Sequence, residues 1–574
     1  MSACGVCAAP VAMLHQRIAM RDGVHLCTNI FRPEGVRRGP VLLIRTPYGK
    51  PNDLTGNYQY FVEQGYAVVI QDVRGRKDSE GRFRQVEQET ADGEDTLNWI
   101  GRQPWCDGNI GMLGGSYLGI AQWRAALGNS PYLKAIFPVV SGSDEYLDRY
   151  YSPGGALKLG HRLLWMAENV RAPGFPLPPF STFVNHLPLR TSDRAATGRT
   201  VDFFQQALNH PFYDTYWKEA STFRSLNRVK VPAFLVSGWY DNYVESDLDT
   251  LRKLLPRFPE DRIVVGPWPH NMSIKFPGID FGPDAGAPIR RYQKLWFDRW
   301  LRGRTADDAL ALPVQVFVMG ENRWRGFSRW PPEESVATPF YLDSAGGANT
   351  LEGDGRLRRH PPDHELADRF LYDPHDPVPT RGGALCCNPN VFPWGPMDQR
   401  AVERRKDVLV YTSRPLPYDF EIAGPVRVVL YVETTAPDTD ITAKLIDVFP
   451  GGEARNLTDG ILRLRYRTSL EKPELLQPGS VYAVTVDAGV TANVFKMGHR
   501  IRLEVSSSNF PRFDRNPNTG RPIADETQWR QARQTVWHGP LKPSHLLLPA
   551  VPRPIVARHD YAMKPVASRP AMLK

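Results

Sequence analysis

The sequence predicts an α/β domain with a helical insertion, followed by an all-β domain. Strand and helix patterns alternate along the first quarter, and a segment rich in aromatic residues and proline then interrupts them. Short alternating strands dominate after about residue 335. A single core rarely serves more than about 250–300 residues, so a chain of 574 residues needs two or three structural units.

The α/β domain is predicted over residues 1–144 and 226–337. Its apolar runs are VLLIRT (41–46), YAVVIQD (66–72), IGML (110–113), KAIFPVV (134–140), AFLVSG (233–238) and RIVVGPW (262–268). Such nearly continuous runs are typical of strands buried on both faces of a parallel sheet. Residues 90–100 predict a helix between them, with acidic residues in its first turn, where the helix dipole favours them.

The helical insertion, or cap, is predicted over residues 145–225, which include helical pieces such as LKLGHRLLWMAENV (157–170). Residues 338–574 predict a jelly-roll β domain, because short alternating segments are separated by Gly, Pro and Asp turns. The predicted strands are FYLD (340–343), DVLVYTS (407–413), VRVVLYVETT (426–435), TAKLIDVFP (442–450), ILRLRYR (461–467), VYAVTVDAG (481–489) and HRIRLEVSSS (499–508).

Composition and charge narrow the class of protein. Apolar residues make up 41% and charged residues 23%, which excludes a mainly disordered chain. No apolar run reaches the roughly 18 residues of a membrane span, and the first residues lack the pattern of a secretory signal. We therefore expect a cytoplasmic protein. The net charge of +9 is spread over interleaved acidic and basic residues, so no nucleic-acid partner is expected.

The six cysteines are too few for a disulfide scaffold. Cys4 and Cys7 fit a CxxC pattern, but no second pair stands at zinc-site spacing, so a frayed terminus is favoured over a metal or redox site. The adjacent Cys386 and Cys387 lie in a loop rich in glycine and proline, and we predict reduced thiols there. No metal and no organic cofactor are expected.

The segment IGMLGGSYLGIAQWRAAL (110–127) carries the strongest chemical signal. A β run ends near Leu113, Ser116 follows between glycines, and a helical run begins, which is the pattern of a nucleophile elbow. The turn is sharp, so its neighbours must be small. Leu118 stands where G-x-S-x-G has its second glycine, and Gly119 follows. Taken alone, the motif also fits a glycine-rich loop that merely turns.

Two further candidates follow in the order that α/β-hydrolases use, a serine, then an acid, then a histidine, each after a strand. Asp241 comes soon after AFLVSG, and His270 comes directly after RIVVGPW. Either residue alone has an ordinary structural explanation, since an Asp often caps a helix. Three placements in the right order favour a Ser–His–Asp hydrolase.

The chain resembles the cocaine-esterase-like serine hydrolases of the X-Pro dipeptidyl-peptidase superfamily. The G-x-S-Y-x-G form of the elbow is this family's own variant. The matching stretches run nearly end to end: MRDGVHL (20–26), RTPYGK (45–50), GYAVVIQDVRGRKDSEG (65–81), GMLGGSYLG (111–119), SGWYDNY (237–243), VVGPWPH (264–270), PVPTRGG (377–383), GPMDQR (395–400) and DVLVYTSRPL (407–416).

This resemblance implies an α/β-hydrolase domain split around a helical cap, with a C-terminal jelly roll that helps to close the active site. By position it implies Ser116 as nucleophile, His270 as general base and Asp241 as the orienting acid. It also implies an oxyanion hole made by the Tyr48 hydroxyl and the backbone N–H of Tyr117. A packing role for Tyr48 stays open.

Five aromatic residues are the candidates for substrate contact. Tyr150 and Trp165 in the cap, and Tyr243 after Asp241, match family positions that line the acyl pocket. We expect Phe392 and Trp394 to form a further wall, because their loop is the part of the β domain expected nearest the pocket. Ordinary core packing is the alternative for Tyr150, Trp165 and Tyr243.

The function favoured by these features is hydrolysis of a carboxylic ester through an acyl-enzyme. An amidase or acylase, an X-Pro-type peptidase and an acyltransferase are the related alternatives, and a sugar-binding β domain is the unrelated one. Relatives that hydrolyse α-amino acid esters carry acids where Tyr243 and Val244 stand here, although Glu245 and Asp247 lie nearby. The expected partner is a small-molecule ester or amide, without a membrane, and the sequence leaves a homo-oligomer open.

Overall fold

The computed structural model describes residues 10–304 and 311–552. Cys4 and Cys7 lie outside the described residues, so the prediction for them stays untested. Among the helices of the described residues, none combines the length and the apolar character that crossing a membrane requires.

The first part of the chain contains the strands of the α/β domain. They are β1 (Val11–Ala19), β2 (His25–Arg32), β3 (Gly39–Thr46), β4 (Ala67–Asp72), β5 (Cys106–Gly115), β6 (Leu133–Val139), β7 (Phe234–Tyr240), β8 (Arg262–Pro269), β9 (Lys275–Phe276), β10 (Ile279–Asp280), β11 (Val314–Val318) and β12 (Arg323–Phe327). Within the described residues β9 and β10 pair with each other, and the other strands form one sheet in the order β1-β2-β4-β3-β5-β6-β7-β8-β11-β12.

The centre of this sheet is parallel and its two margins are antiparallel. Strands β4, β3, β5, β6, β7, β8 and β11 run parallel in that order. The six apolar runs predicted as strands all lie in this parallel part, so those predictions are confirmed. The marginal pairs β1–β2, β2–β4 and β11–β12 are antiparallel. Because β1 and β12 are largely exposed, they lack the continuous apolar run that marks a buried strand.

Most helices lie beside the α/β sheet or in the cap, and the short α11 lies in the β domain. They are α1 (Gly56–Glu63), α2 (Glu89–Gly101), α3 (Tyr117–Ala126), α4 (Leu159–Asn169), α5 (Phe180–Val184), α6 (Ser192–Thr197), α7 (Asp202–Asn209), α8 (Thr215–Ala220), α9 (Val244–Leu254), α10 (Ile289–Arg302) and α11 (Arg400–Glu403). Helix α2 confirms the predicted helix, and Glu89 and Asp92 lie in its first turn. A π-helical turn (Glu145–Tyr150) and α4–α8 form the cap between β6 and β7.

The second sheet forms the C-terminal β domain. Its strands are β13 (Val336–Asp343), β14 (Arg356–Arg358), β15 (Leu366–Tyr372), β16 (Leu409–Thr412), β17 (Phe420–Thr434), β18 (Asp440–Val448), β19 (Ala454–Arg463), β20 (Val481–Phe495), β21 (Arg500–Ser506), β22 (Ala532–His538) and β23 (His545–Val551). Their order is β15-β22-β17-β23-β13-β14-β16-β21-β18-β19, with β20 on β17. The predicted strand 461–467 stops at Arg463, because residues 464–466 turn into a 3₁₀ helix.

The β domain packs against the α/β sheet. Met319, just after β11, exchanges backbone hydrogen bonds with Ala492 (3.0 Å) and Val494 (2.8 Å) of β20. The Arg455 guanidinium donates to the carbonyl of Pro277 at 3.0 Å. The hydroxyl of Tyr240, the last residue of β7, donates to the carbonyl of Asn456 at 3.3 Å. The β domain therefore reaches the edge of the sheet at which β7 ends.

The prediction of reduced thiols at Cys386 and Cys387 is wrong, because the structure joins them in a disulfide. Cys387 has a φ of 101°, a left-handed backbone conformation within this turn. The composition of the loop, on which the prediction of reduced thiols rests, does not show whether two neighbouring sulfurs are joined. Cys27 and Cys106 are free and buried.

Candidate active site

Ser116 lies in the sharp turn between β5 and α3. Its φ of 57° and ψ of −125° are strained for a residue with a side chain. The turn is held by a hydrogen bond from the Ser116 N–H to the carbonyl of Val139 on β6, at 2.9 Å. A Cβ on Gly119 would lie 2.5 Å from the Cβ of Ser141, which no real contact tolerates. A glycine is therefore required at position 119, because α3 passes close to Ser141 at this point, as the elbow pattern predicts.

Asp241 and His270 form a close pair after the carboxyl ends of β7 and β8. The Nδ1 atom of His270 lies 2.6 Å from Oδ2 of Asp241, and Oδ1 of the same carboxylate accepts the N–H of Tyr243 at 2.9 Å. Asp241 is fully buried, whereas the His270 side chain is 14% exposed. An ionised carboxylate can only accept, so a neutral imidazole in this position carries its proton on Nδ1 and has its lone pair on Nε2. Ser116 follows β5 at the same edge of the parallel sheet.

Tyr48 lies in the loop after β3 and keeps its hydroxyl proton available. The indole N–H of Trp165 donates to the Tyr48 hydroxyl at 3.3 Å, and the Tyr48 side chain is partly exposed. A hydroxyl that accepts one hydrogen bond can still donate its own proton. The loop is fixed by Lys50, whose ammonium lies 3.0 Å from Asp72 and 2.6 Å from Asp78.

Tyr117 supplies the first N–H of α3, and its side chain anchors the turn. The first N–H groups of a helix have no acceptor within the helix, so this one is free for an oxyanion. The Tyr117 hydroxyl donates to Glu89 at 2.9 Å, and Glu89 also pairs with the buried Arg45. Burial raises the pKa of Tyr117 well above its usual value, which keeps the phenol neutral. Sequence reasoning missed Glu89 and Arg45, although an arginine inside an apolar strand is a signal.

Two of the five predicted contact residues touch the groups described above. The ring of Tyr243 lies 5.7 Å from the imidazole ring of His270. Trp165 on α4 reaches the Tyr48 hydroxyl through its indole N–H. Both side chains are largely buried, and they lie beside the Asp241–His270 pair and the Tyr48 hydroxyl respectively.

The other three predicted residues belong to the same apolar cluster as Tyr117 and Trp165. The Tyr150 hydroxyl donates to Gln85 at 2.7 Å. Phe392 packs against Phe180 of the cap with ring centres 5.4 Å apart, and Trp394 is buried nearby in the cluster. The loop of the β domain therefore contacts the cap.

A group of potential metal ligands lies elsewhere on the domain. Donor atoms of His15, Cys27 and Asp78 lie within 4.8 Å of one another. The Lys50 ammonium lies 2.6 Å from the same Asp78 carboxylate and would repel a cation bound there. We therefore assign no metal to this group.

Comparison with known proteins covers most of the chain. Residues 22–272 match the model of the X-Pro dipeptidyl-peptidase (S15) family, and residues 311–547 match the X-Pro dipeptidyl-peptidase C-terminal non-catalytic domain. Cocaine esterase from Rhodococcus sp. (strain MB1 Bresler) is 42% identical over 566 residues, which cover 93% of this chain and 98% of that protein.

Two solved structures are similar over nearly their whole length. An aminopeptidase from a marine sediment Thaumarchaeota archaeon has a TM-score of 0.85 at 25% identity, and an α-amino acid ester hydrolase has a TM-score of 0.82 at 27% identity. Each comparison covers 96% of this chain and 98% of the other.

Proposed function

The chain belongs to the X-Pro dipeptidyl-peptidase (S15) family of serine hydrolases, and from this premise we propose that it cleaves carboxylic esters through an acyl-enzyme. The observation that carries the proposal is the 2.6 Å contact between His270 and Asp241, at the sheet edge where the Ser116 turn also lies. The 42% identity to a cocaine esterase favours an ester over an amide.

In the proposed mechanism, Nε2 of His270 takes the Ser116 proton as Oγ attacks the substrate carbonyl. Asp241 holds the imidazole and stabilises the imidazolium that forms. The Tyr48 hydroxyl and the Tyr117 N–H donate to the developing oxyanion, each contributing about 10²–10³ in rate. The alcohol leaves with the proton from His270, and water attacks the acyl-enzyme by the same route. Each step uses side chains and backbone of this chain, and we propose no cofactor.

The proposal includes the division of the chain and its setting. We propose the division expected from the sequence, with its last boundary moved to the start of β13: residues 1–144 and 226–335 form the catalytic domain, 145–225 the cap and 336 onwards the jelly roll, with a small-molecule ester as substrate. A cytoplasmic location stays a prediction, which fractionation of the source cells tests.

Amide or X-Pro peptide hydrolysis is the second candidate, because the family description names it. The position of Tyr243 weighs against recognition of a substrate amine there, since its buried aromatic ring packs beside His270. Acyl transfer uses the same acyl-enzyme and differs only in the acceptor, so an assay with added alcohol distinguishes it from hydrolysis.

The test compares three substrates of the full chain: the ester 4-nitrophenyl butyrate, the 4-nitroanilide of butyric acid, and Ala-Pro-4-nitroanilide. We expect the ester to be turned over fastest and Ser116→Ala to lower its kcat by about 10⁴–10⁶. Ser130→Ala is the matched control, because Ser130 lies on another loop and bonds Asn98. Faster cleavage of either anilide would overturn the ester assignment.

A further inference from the structure

Arg162 of α4 is a buried cation that forms no direct ion pair with the described residues. Its guanidinium lies over two aromatic rings, 5.0 Å from the centre of Trp165 and 5.1 Å from that of Tyr150. The residue is only 2% exposed, and its Nε and one terminal nitrogen have no hydrogen-bond partner. Among the described residues, none forms an ion pair with it.

The neighbouring Arg149 is a second buried cation, and its two terminal nitrogens also have no hydrogen-bond partner. Arg149 is equally buried, lies over the Tyr117 ring and pairs with Glu145 at 3.2 Å. A buried charge is costly unless it is paired and hydrogen-bonded. Burial is the main cause that lowers the pKa of Arg162, and the positive charge of Arg149 lowers it further, whereas Tyr150 and the Glu145 carboxylate act in the opposite direction. The two rings attract the cation by their faces but leave the N–H groups at its edge unbonded.

The position of Arg162 connects it to the reaction site. The Trp165 indole that it covers donates to the Tyr48 hydroxyl, our candidate oxyanion donor. Trp165 and Tyr150 are also the cap residues predicted to line the acyl pocket. Arg162 therefore lies one aromatic ring away from the group that would hold the substrate carbonyl.

We propose that Arg162 binds an anionic group at the far end of the substrate's acyl chain, so that the preferred substrates are half-esters of dicarboxylic acids. A guanidinium presents a planar fork of donors that matches a carboxylate, and such charge-assisted bonds are stronger than neutral ones. The surrounding rings exclude water, which strengthens the attraction further. This inference rests on the proposed ester hydrolysis and names its substrate class.

The test uses 4-nitrophenyl half-esters of succinate, glutarate, adipate and suberate, each beside the neutral ester of the same acyl length, with uncatalysed hydrolysis subtracted. For the best chain length we expect kcat/KM to be at least about 10-fold higher for the anionic member, the size of a charge-assisted hydrogen bond. Arg162→Gln should reduce this anionic-to-neutral ratio to about one, and Arg162→Lys should retain part of it. Arg194→Gln, an exposed change on the cap that breaks a bond to Thr200, should leave the ratio unchanged.

The outcomes separate this inference from the proposed function. If kcat/KM for each neutral ester equals that for the half-ester of the same acyl length, the proposed role of Arg162 is wrong, and ester hydrolysis itself is still supported. Failure to hydrolyse any of these esters would overturn both. If thermal melting shows that Arg162→Gln does not fold, two measurements on the unaltered chain test the proposal instead. They are the anionic-to-neutral ratio of kcat/KM and the inhibition of ester hydrolysis by free dicarboxylates. We expect the best-fitting dicarboxylate to compete with the neutral ester and its diamide not to compete, and equal inhibition by both would contradict the proposal.

Discussion

At the scale of single residues, the hydroxyl of Tyr48 accepts a hydrogen bond and keeps its own proton for another acceptor. Tyr48→Phe removes that donor and little volume. We expect kcat to fall about 10²–10³-fold with a much smaller change in KM, because the bond forms mainly in the transition state. Tyr418→Phe, at an exposed site of the β domain, is the control. A loss below tenfold at unchanged stability would reduce Tyr48 to a packing residue.

The carboxylate of Asp241 holds the imidazole of His270 and is itself fully buried. Asp241→Asn keeps the shape but removes the charge that stabilises the imidazolium. We expect kcat to fall about 10³–10⁴-fold, while Asp249→Asn, an exposed change on α9, leaves it unaltered. Steady-state kinetics on one ester measures both, and equal rates for the two variants would exclude Asp241 from the mechanism.

At the scale of elements, a buried ion pair fixes the turn that carries Ser116. Arg45 of β3 pairs with Glu89 of α2, and Glu89 accepts the Tyr117 hydroxyl from α3. Glu89→Gln removes the nearer counter-charge of the Arg45 guanidinium and leaves only Asp92 at 3.9 Å, so the free energy of unfolding should fall by about 3–5 kcal/mol. The exposed change Glu87→Gln should alter it by less than about 0.5 kcal/mol. Denaturant unfolding compares them, and similar losses would contradict the anchoring role.

A further buried carboxylate, Asp261, lies directly before β8. One of its oxygens accepts the N–H of Ala233 at 2.8 Å, the other has no partner, and burial raises its pKa to about 8. Between about pH 4 and pH 8 the native state therefore binds one more proton than the unfolded chain, so stability falls as pH rises. The variant Asp261→Asn has no titrating carboxyl group at this position, so it lacks this pH dependence.

We expect the stability of Asp261→Asn relative to the parent to grow between pH 5 and pH 7.5, by about 1.4 kcal/mol per pH unit at most. Thermal or urea unfolding at several pH values measures this slope, which is independent of any constant loss from the substitution. A difference that stays constant across this range would contradict the raised pKa.

At the scale of the whole molecule, the two sheets are joined close to the site. Met319 bonds β20, and Tyr240, directly before Asp241, bonds Asn456. A fragment ending at Ser335, before β13, would expose surface that the full chain buries. We expect it to be insoluble or inactive, as judged by expression, melting and assay of the ester that the full chain cleaves. A soluble fragment with the parent's specificity would make the β domain an accessory.

The parts of this molecule that sequence predicts are those set by local pattern. Central strands such as 41–46 are apolar on both faces, and Ser116, Asp241 and His270 each follow one of them, so their shared edge follows from a parallel sheet. Exposed marginal strands such as β1 and β12 carry no such pattern. The contact of Arg162 with Trp165 depends on how the cap folds, which one-dimensional spacing does not specify.

The central claim is that Ser116 is the nucleophile, and covalent labelling tests it most directly. The full chain is treated with a fluorophosphonate, digested with trypsin and mapped by mass spectrometry. We predict a single label on the peptide 103–124, which contains Ser116, rising in proportion to the loss of ester hydrolysis. His270→Ala should slow the labelling severalfold or more, because it removes the base. A label on another residue, or full activity with Ser116 completely labelled, would contradict the mechanism.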